Sequence, residues 1–584
     1  MAHSNSVILM ILVLVLGNSY LHSAKAQYNS EYPRNNEYPR SPDSFGQNSV
    51  RGPDTQPFSE PVIRKSLPPL QGNGESGSYG SGPTIQGLGR SGLSASEFES
   101  FQRQLALPVK SRILSDLLTG VVSGAIQDSL GSSEANETNS ARLELLLRSG
   151  QFRKILSMGK SNNSLMRSPL FRTYIAWASL AVGQHGKSCE LANNIPVRPN
   201  ALPRKALSQT LLLNAYCAAR NRDYNGAQLS LDLARDQGVQ IDIPQTILDR
   251  LASGTQKRLS VPKQFRLIDY VFLRLTNWPP HPALFKLADT GFIVAVANDQ
   301  DIPGIIRLGA AEVAARRHAM TPRELEEAYA RAGVSNIEKP DPVKFGKSRN
   351  VTSQVRAELI YRIRNTNDPG QKAQLLAQFI DSSRKSGLFS IGARIAAKKI
   401  ETLPQVPAIL RYSDPLIEAL IAAQRYERAA QLILFSNAGR NNFQSGSSRW
   451  LVIIDIAQTD NVVAPGSGIP IAEDIALSRQ MNSDLLHKTI TVLDALEYNV
   501  PIPLWNLANN KPQPSRGYLP ETGHLSRLTA AAKQNQTERT ILMAISAIGP
   551  NDISEAHVLV LQDTIRALKA VGLERQARQV AVSA

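Results

Sequence analysis

Cysteine is scarce in this chain of 584 residues: Cys189 and Cys217 are the only two. Two thiols without a clustered histidine do not make a four-ligand zinc site of the usual kind. Histidine is scarce too. The eight are His3, His22, His185, His281, His318, His487, His524 and His557, and no pair has the spacing of H-E-x-x-H. A zinc peptidase of that type is therefore unsupported. A G-x-S-x-G elbow and a phosphate-binding P-loop are both missing, so neither an α/β-hydrolase nucleophile nor a nucleotide cradle is written in the chain. Long apolar runs are absent after Leu16, which leaves no later stretch able to span a membrane. Together these gaps give the expectation of no catalytic residue, no metal and no cofactor.

The one continuous apolar run lies at the start. Val7 to Leu16 reads VILMILVLVL, and Ala24-Lys25-Ala26 follows. Small residues at the two outer positions suit a signal-peptidase site, so residues 1–26 read as a signal peptide cleaved between Ala26 and Gln27. The other reading is an uncleaved anchor, since Met1 to Ser6 carries no Lys or Arg. Ten residues, however, give about 15 Å of helix against about 30 Å of hydrocarbon. No cysteine stands near the site to be lipidated. The mature chain is expected in the periplasm or outside the cell, without a transmembrane span after cleavage.

Export changes the meaning of the charge and of the cysteines. Lys and Arg number 65 against 49 Asp and Glu, a formal +16. In the cytoplasm such a balance would suggest nucleic acid; outside it, nucleic acid is not the expected partner. The polyanions there are acidic proteins and acidic envelope polymers. The plainer reading is solvated helix surface, because only short clusters occur, such as Arg316-Arg317-His318 and Lys398-Lys399. Cys189 and Cys217 lie 28 positions apart on what read as successive helices, and an oxidising compartment lets them pair. Closing that loop would stabilise by about 3 kcal/mol in the chain-entropy model. Two buried free thiols are the alternative.

Residues 27–93 are rich in Pro, Gly, Ser and Asn and nearly devoid of aliphatic clusters. Such a segment cannot bury enough apolar surface to offset its ordering entropy, so a disordered leader is expected. Within it the hexapeptide NSEYPR (29–34) is followed at once by NNEYPR (35–40). Tyr32, Arg34, Tyr38 and Arg40 are a candidate linear motif whose two copies would bind a repeating partner with avidity. A drifting spacer is the alternative.

At Ser94 the pattern changes. Ser94 and Glu97 form a capping-box signature, and Phe98, Phe101 and Leu105 follow at helical spacing. Further starts are marked by a polar cap before Pro: Ser168-Pro169, Thr321-Pro322 and Asp414-Pro415. Strand alternation is almost absent. Trp450 to Ile456 is the best candidate and reads equally as a buried helix. Apolar segments meet in pairs across short turns near Gly150, Gly183, Asn221, Gln424 and Gly572. An aromatic at or just past three of these turns (Phe152, Tyr224, Tyr426) could fill the gap between paired helices. The fold class is all-α, an irregular α-solenoid of helix hairpins. Its expected parts are an N-terminal solenoid at 94–335, a linker at 336–350 and a C-terminal helical region at 351–584.

These hairpins resemble tetratricopeptide pairs, with small residues and Gly at corresponding places. The first turns are spaced like that repeat; further on the spacing fades, and its Trp, Tyr and Pro signature is nowhere complete. The segment from Leu191-Ala192 through 211–219 to Ala234 is similar to uncharacterised exported bacterial proteins sometimes labelled antifreeze-glycopeptide-like. That resemblance covers about residues 140–335. It implies export and helices and carries no catalytic motif. No Ala-Ala-Thr repeat supports the label.

Ser157–Lys160 and Ser382–Lys385 match S-x-x-K, and Lys385-Ser386-Gly387 resembles the third box of penicillin-binding enzymes. That box must lie on a strand beside the active site. Here it reads as a helix end with Gly387 as cap. The expectation is therefore a periplasmic, non-enzymatic binding or scaffold protein of the envelope. It would recognise an envelope protein or an acidic envelope polymer through a helical-repeat surface. The alternative is a peptidoglycan-acting enzyme or an activator of one. Oligomeric state is not written in the sequence.

Overall fold

The computed structural model describes residues 93–126, 133–197, 201–254, 259, 261–332, 352–438, 447–458, 462–478 and 481–584. These residues form 27 α-helices and, among themselves, no strand. Two isolated bridges, Phe265 with Ala288 and Tyr518 with Ala556, are the only extended pairings among them. The signal segment with Ala26 and Gln27, the leader up to residue 92 with Tyr32, Arg34, Tyr38 and Arg40, and the linker 336–350 lie outside the described residues.

The helices pair through one recurring turn. At Gly150 (φ +78°) the Gln151 amide donates to the Leu146 carbonyl at 2.8 Å and the Gly150 amide to Leu147 at 3.0 Å. This is the Schellman closure, which needs one left-handed residue just past the helix. The same pair of bonds recurs at Gly183, Arg222, Gly238, Asn277, His318, Gly387, Gln424, Glu497, Asn535 and Gly572, all at positive φ. The fading of the spacing is thus a fading of its sequence marks. Gly387 to Gln424 is 37 positions, Glu497 to Asn535 is 38 and Asn535 to Gly572 is 37.

Local expectations fare unevenly. Ser94 and Glu97 form the capping box, with the Ser94 amide on Glu97 Oε2 at 3.0 Å. Thr321 and Glu324 do the same. Trp450 to Ile456 is helical, inside Arg449–Ala457. Asp414 is not a cap: a 3-10 turn, Pro407–Tyr412, runs directly into the helix Ser413–Ala422, which moves the start upstream. The Asp414 carboxylate instead accepts from Ser447 Oγ (3.0 Å) and Trp450 Nε1 (3.4 Å). Phe152 is buried, and Tyr224 and Tyr426 are half-buried against the core.

One apolar cluster runs from Leu93 to Ala581. The regions before and after the linker meet at two polar seams within it. Arg356 donates from Nε and Nη2 to the two oxygens of Glu312 (2.8 and 2.6 Å), and Tyr329 donates to the same carboxylate at 3.0 Å. Far from there, Arg142 pairs with Glu538 at 2.7 Å, both almost fully buried. The helices Ala95–Gln104 and Arg112–Ile126 pack on Thr537–Ile548, and Arg112–Ile126 also touches Glu574–Ser583. The first described helices therefore rest on the last.

Candidate functional site

The described residues enclose a cleft of about 770 Å³. It opens where the end of the helix Ser133–Arg148 meets Pro169–Ala181, Arg204–Arg220 and the starts of Leu267–Arg274 and Thr290–Asn298. Gly150 sets this junction. A β-carbon there would run into Thr290 and Ala319, so the tight glycine turn is what lets the first hairpin seat on the later helices.

Five cations line the cleft, Arg148, Lys263, Arg266, Lys286 and Arg317, against two carboxylates, Glu144 and Asp289. They are not equivalent. Arg266 is spoken for: it forks onto Asp269 (3.1 and 2.9 Å) and reaches the Gln240 carbonyl at 2.8 Å. Arg317 is held by neutral groups, the carbonyls of Ala288 (2.8 Å) and Phe285 (3.2 Å). Its orientation is fixed by these neutral groups, and no carboxylate lies within salt-bridge distance of it among the described residues. Loss of solvent pushes its pKa below the ordinary guanidinium value, and Asp289 partly offsets this. Arg148, Lys263 and Lys286 are exposed and form no ion pair among the described residues.

The two carboxylates differ as well. Asp289 caps two helices at once: Oδ1 accepts from the Phe292 amide at 2.6 Å and Oδ2 from the Leu267 amide at 3.1 Å. Burial raises its pKa to about 6, although the two amides pull the other way. Glu144 is also raised by burial, with Lys205 and Arg148 opposing. Its Oε2 is enclosed and has no hydrogen-bond partner. Trp177 closes one wall, with its indole N–H on the Gln209 carbonyl at 3.1 Å. Such a cleft can hold an anion; among the described residues, none of its side chains pairs a nucleophile with a base.

The sequence motifs fall elsewhere. Ser157 Oγ donates to the Lys154 carbonyl at 2.8 Å, not to Lys160. Ser382 sits 3.4 Å from Arg356 Nη1, and Lys385 pairs with Asp381 at 2.7 Å. Lys385-Ser386-Gly387 ends the helix Pro369–Lys385, with Gly387 at φ +66°. Cys189 and Cys217 are joined in a disulfide, Cα atoms 5.5 Å apart, linking His185–Asn193 to Arg204–Arg220. Of the cleft cations, only Arg317 belongs to a basic cluster that stands out in the sequence. The others lie between Arg148 and Lys286, 138 positions apart in the chain, and only hairpin stacking brings them together.

Among the described residues, no helix is long and apolar enough to cross a membrane, and no group of three or more His, Cys, Asp or Glu is placed to hold a metal ion. Comparison with protein-family models, curated proteins and solved structures finds no match.

Proposed function

We propose that this is a periplasmic, non-enzymatic scaffold of the cell envelope that holds an acidic partner on its helical surface. The cation-lined cleft carries this reading. Three exposed cations without ion pairs, Arg148, Lys263 and Lys286, stand around a fourth, Arg317, whose position is fixed by carbonyls. Concentrating like charge in a concavity favours an anionic visitor over bulk counterions. The disulfide supports an oxidising compartment, and the signal-like start supports export.

A second reading, a hydrolase acting on peptidoglycan, has one observation in its favour. Glu144 and Asp289 share the cleft and both have raised pKa values. Two such carboxylates are the raw material of acid/base catalysis. Asp289, however, commits both oxygens to backbone amides, which is capping work and leaves no oxygen aimed at a substrate. The scaffold reading therefore ranks first.

Crosslinking in intact cells followed by mass spectrometry tests it, with and without residues 27–93. The expected result is a reproducible envelope protein crosslinked through the helical region. Recovery of no envelope partner with either form would overturn the scaffold. Hydrolysis of purified peptidoglycan that is lost in Glu144→Gln would establish the second reading in its place.

A further inference from the structure

The geometry points to an acidic peptide segment, carrying apolar residues between its carboxylates, as the occupant of the Arg148–Lys263–Lys286–Arg317 cleft. This rests on the scaffold reading and names the chemistry of its partner.

Three features converge. The first is charge. The four cations come from four different stretches of chain, and nothing within salt-bridge distance neutralises three of them. Glu144 and Asp289 offset part of this charge, and a ligand of opposite charge would offset the rest. The second is pre-organisation. Arg317 uses Nη1 and Nη2 on carbonyls, and a guanidinium has further N–H donors to offer a carboxylate. The third is apolar surface set beside the charge. Leu287 is 42% exposed and follows Lys286 directly. Leu147, only partly covered, precedes Arg148 in the same way. Leucine or phenylalanine side chains of a peptide match these leucines more fully than the C–H faces of a glycan, and an inorganic polyanion has no apolar surface at all. The volume falls within the usual range of about 300–1,000 Å³ for ligand sites.

The test uses the chain from Gln27 onward and a short fluorescein-labelled peptide of alternating glutamate and leucine, read by fluorescence anisotropy. The expected result is saturable binding that weakens as salt is added. Lys263→Glu with Lys286→Glu should weaken it at least about tenfold, since paired charges at such sites set much of the affinity. Both residues are exposed, so the melting temperature should not move. Lys533→Glu with Arg575→Glu, the same charge change on exposed positions elsewhere, should leave binding within about twofold. Equal binding by wild type and the cleft variant would overturn the proposal. So would equal competition at the cleft by polyglutamate or an acidic polysaccharide, which would make the site a general polyanion trap. A cellular partner crosslinked outside the cleft, with no peptide binding, would remove this inference and leave the scaffold intact. Peptide binding at the cleft with no crosslinked partner would do the reverse.

Discussion

Gly150 and Gly572 occupy the same place in their turns, at φ +78° and +79°, yet their surroundings differ. A β-carbon at Gly150 would press on Thr290 and stand 2.7 Å from Ala319 Cβ; at Gly572 it would meet nothing within 4 Å. Gly572→Ala should therefore cost only the left-handed backbone penalty, about 1–2 kcal/mol. Gly150→Ala adds overpacking of about 1–3 kcal/mol and should disturb the cleft that Arg148 lines. Urea unfolding of the two variants decides it: equal losses would show that the contact with Thr290 carries no weight. His318 makes a second residue-scale case. It turns a helix at φ +57°, and its Nε2–H donates to the Lys110 carbonyl at 2.7 Å. Burial, then Arg112 and Arg394, lower its pKa to about 4, against the pull of the Lys110 carbonyl and Asp116. A folded-state value below the ordinary 6.5 means the unfolded chain binds the proton more readily. Stability from neutral His318 is present above pH 6.5 and drains as pH falls toward 4, by at most about 1.4 kcal/mol per unit. Asp289 acts in the opposite sense: its raised value means stability grows as pH falls through about 6. A single pH curve mixes the two, so the informative measurement is the difference between wild type and His318→Asn, which keeps the left-handed turn accessible. That difference should be largest near neutral pH and shrink below 6.5; a constant gap would refute the assignment.

At the scale of helices and turns, what was legible depended on whether glycine stood at the left-handed position. Gly150, Gly183 and Gly572 mark their hairpins openly, because only glycine enters that region without steric cost. Glu497 and Asn535 do the same work at the same place in the turn and look like ordinary helix residues in the sequence. Their cost is offset by two backbone bonds and by the packing of the helices they join, neither of which a local pattern records. Hence the all-α class and the hairpins at Gly150, Gly183, Asn221, Gln424 and Gly572 were readable, while the turns at Glu497 and Asn535 and the later spacing of about 37 residues were not. Asp414 shows the opposite limit. A polar residue before Pro is a sound local signal for a helix start, but the preceding 3-10 turn overrode it and freed the carboxylate for Ser447 and Trp450. The cleft was least legible. Arg148, Lys263 and Lys286 each read as a solvated surface cation, and their meeting depends on contacts between hairpins far apart in sequence.

Across the whole molecule, one of the least local contacts is also among the most buried. Arg142 and Glu538 retain 2% and 6% side-chain exposure, pair at 2.7 Å, and lie 396 positions apart. Burial lowers the arginine pKa and Glu538 restores part of it, so the pair survives because each charge answers the other. Removing one partner strands the other charge in the core, which costs about 3–5 kcal/mol, whereas replacing both with apolar side chains is often near neutral. Arg142→Met alone should therefore destabilise strongly, and Arg142→Met with Glu538→Leu should recover most of the loss. The nearby Arg539–Glu97 pair, half-exposed at 2.6 Å, should contribute no more than about 1 kcal/mol. Hydrogen exchange shows where the energy acts. If the pair fastens the first described helices to the last, Arg142→Met raises exchange in 95–126 and 537–548 together, while the disulfide-linked helices between them stay protected. Faster exchange confined to 133–148 would mean that the pair stabilises only its own helix, and that the packing of Arg112–Ile126 on Thr537–Ile548 holds the ends together without it.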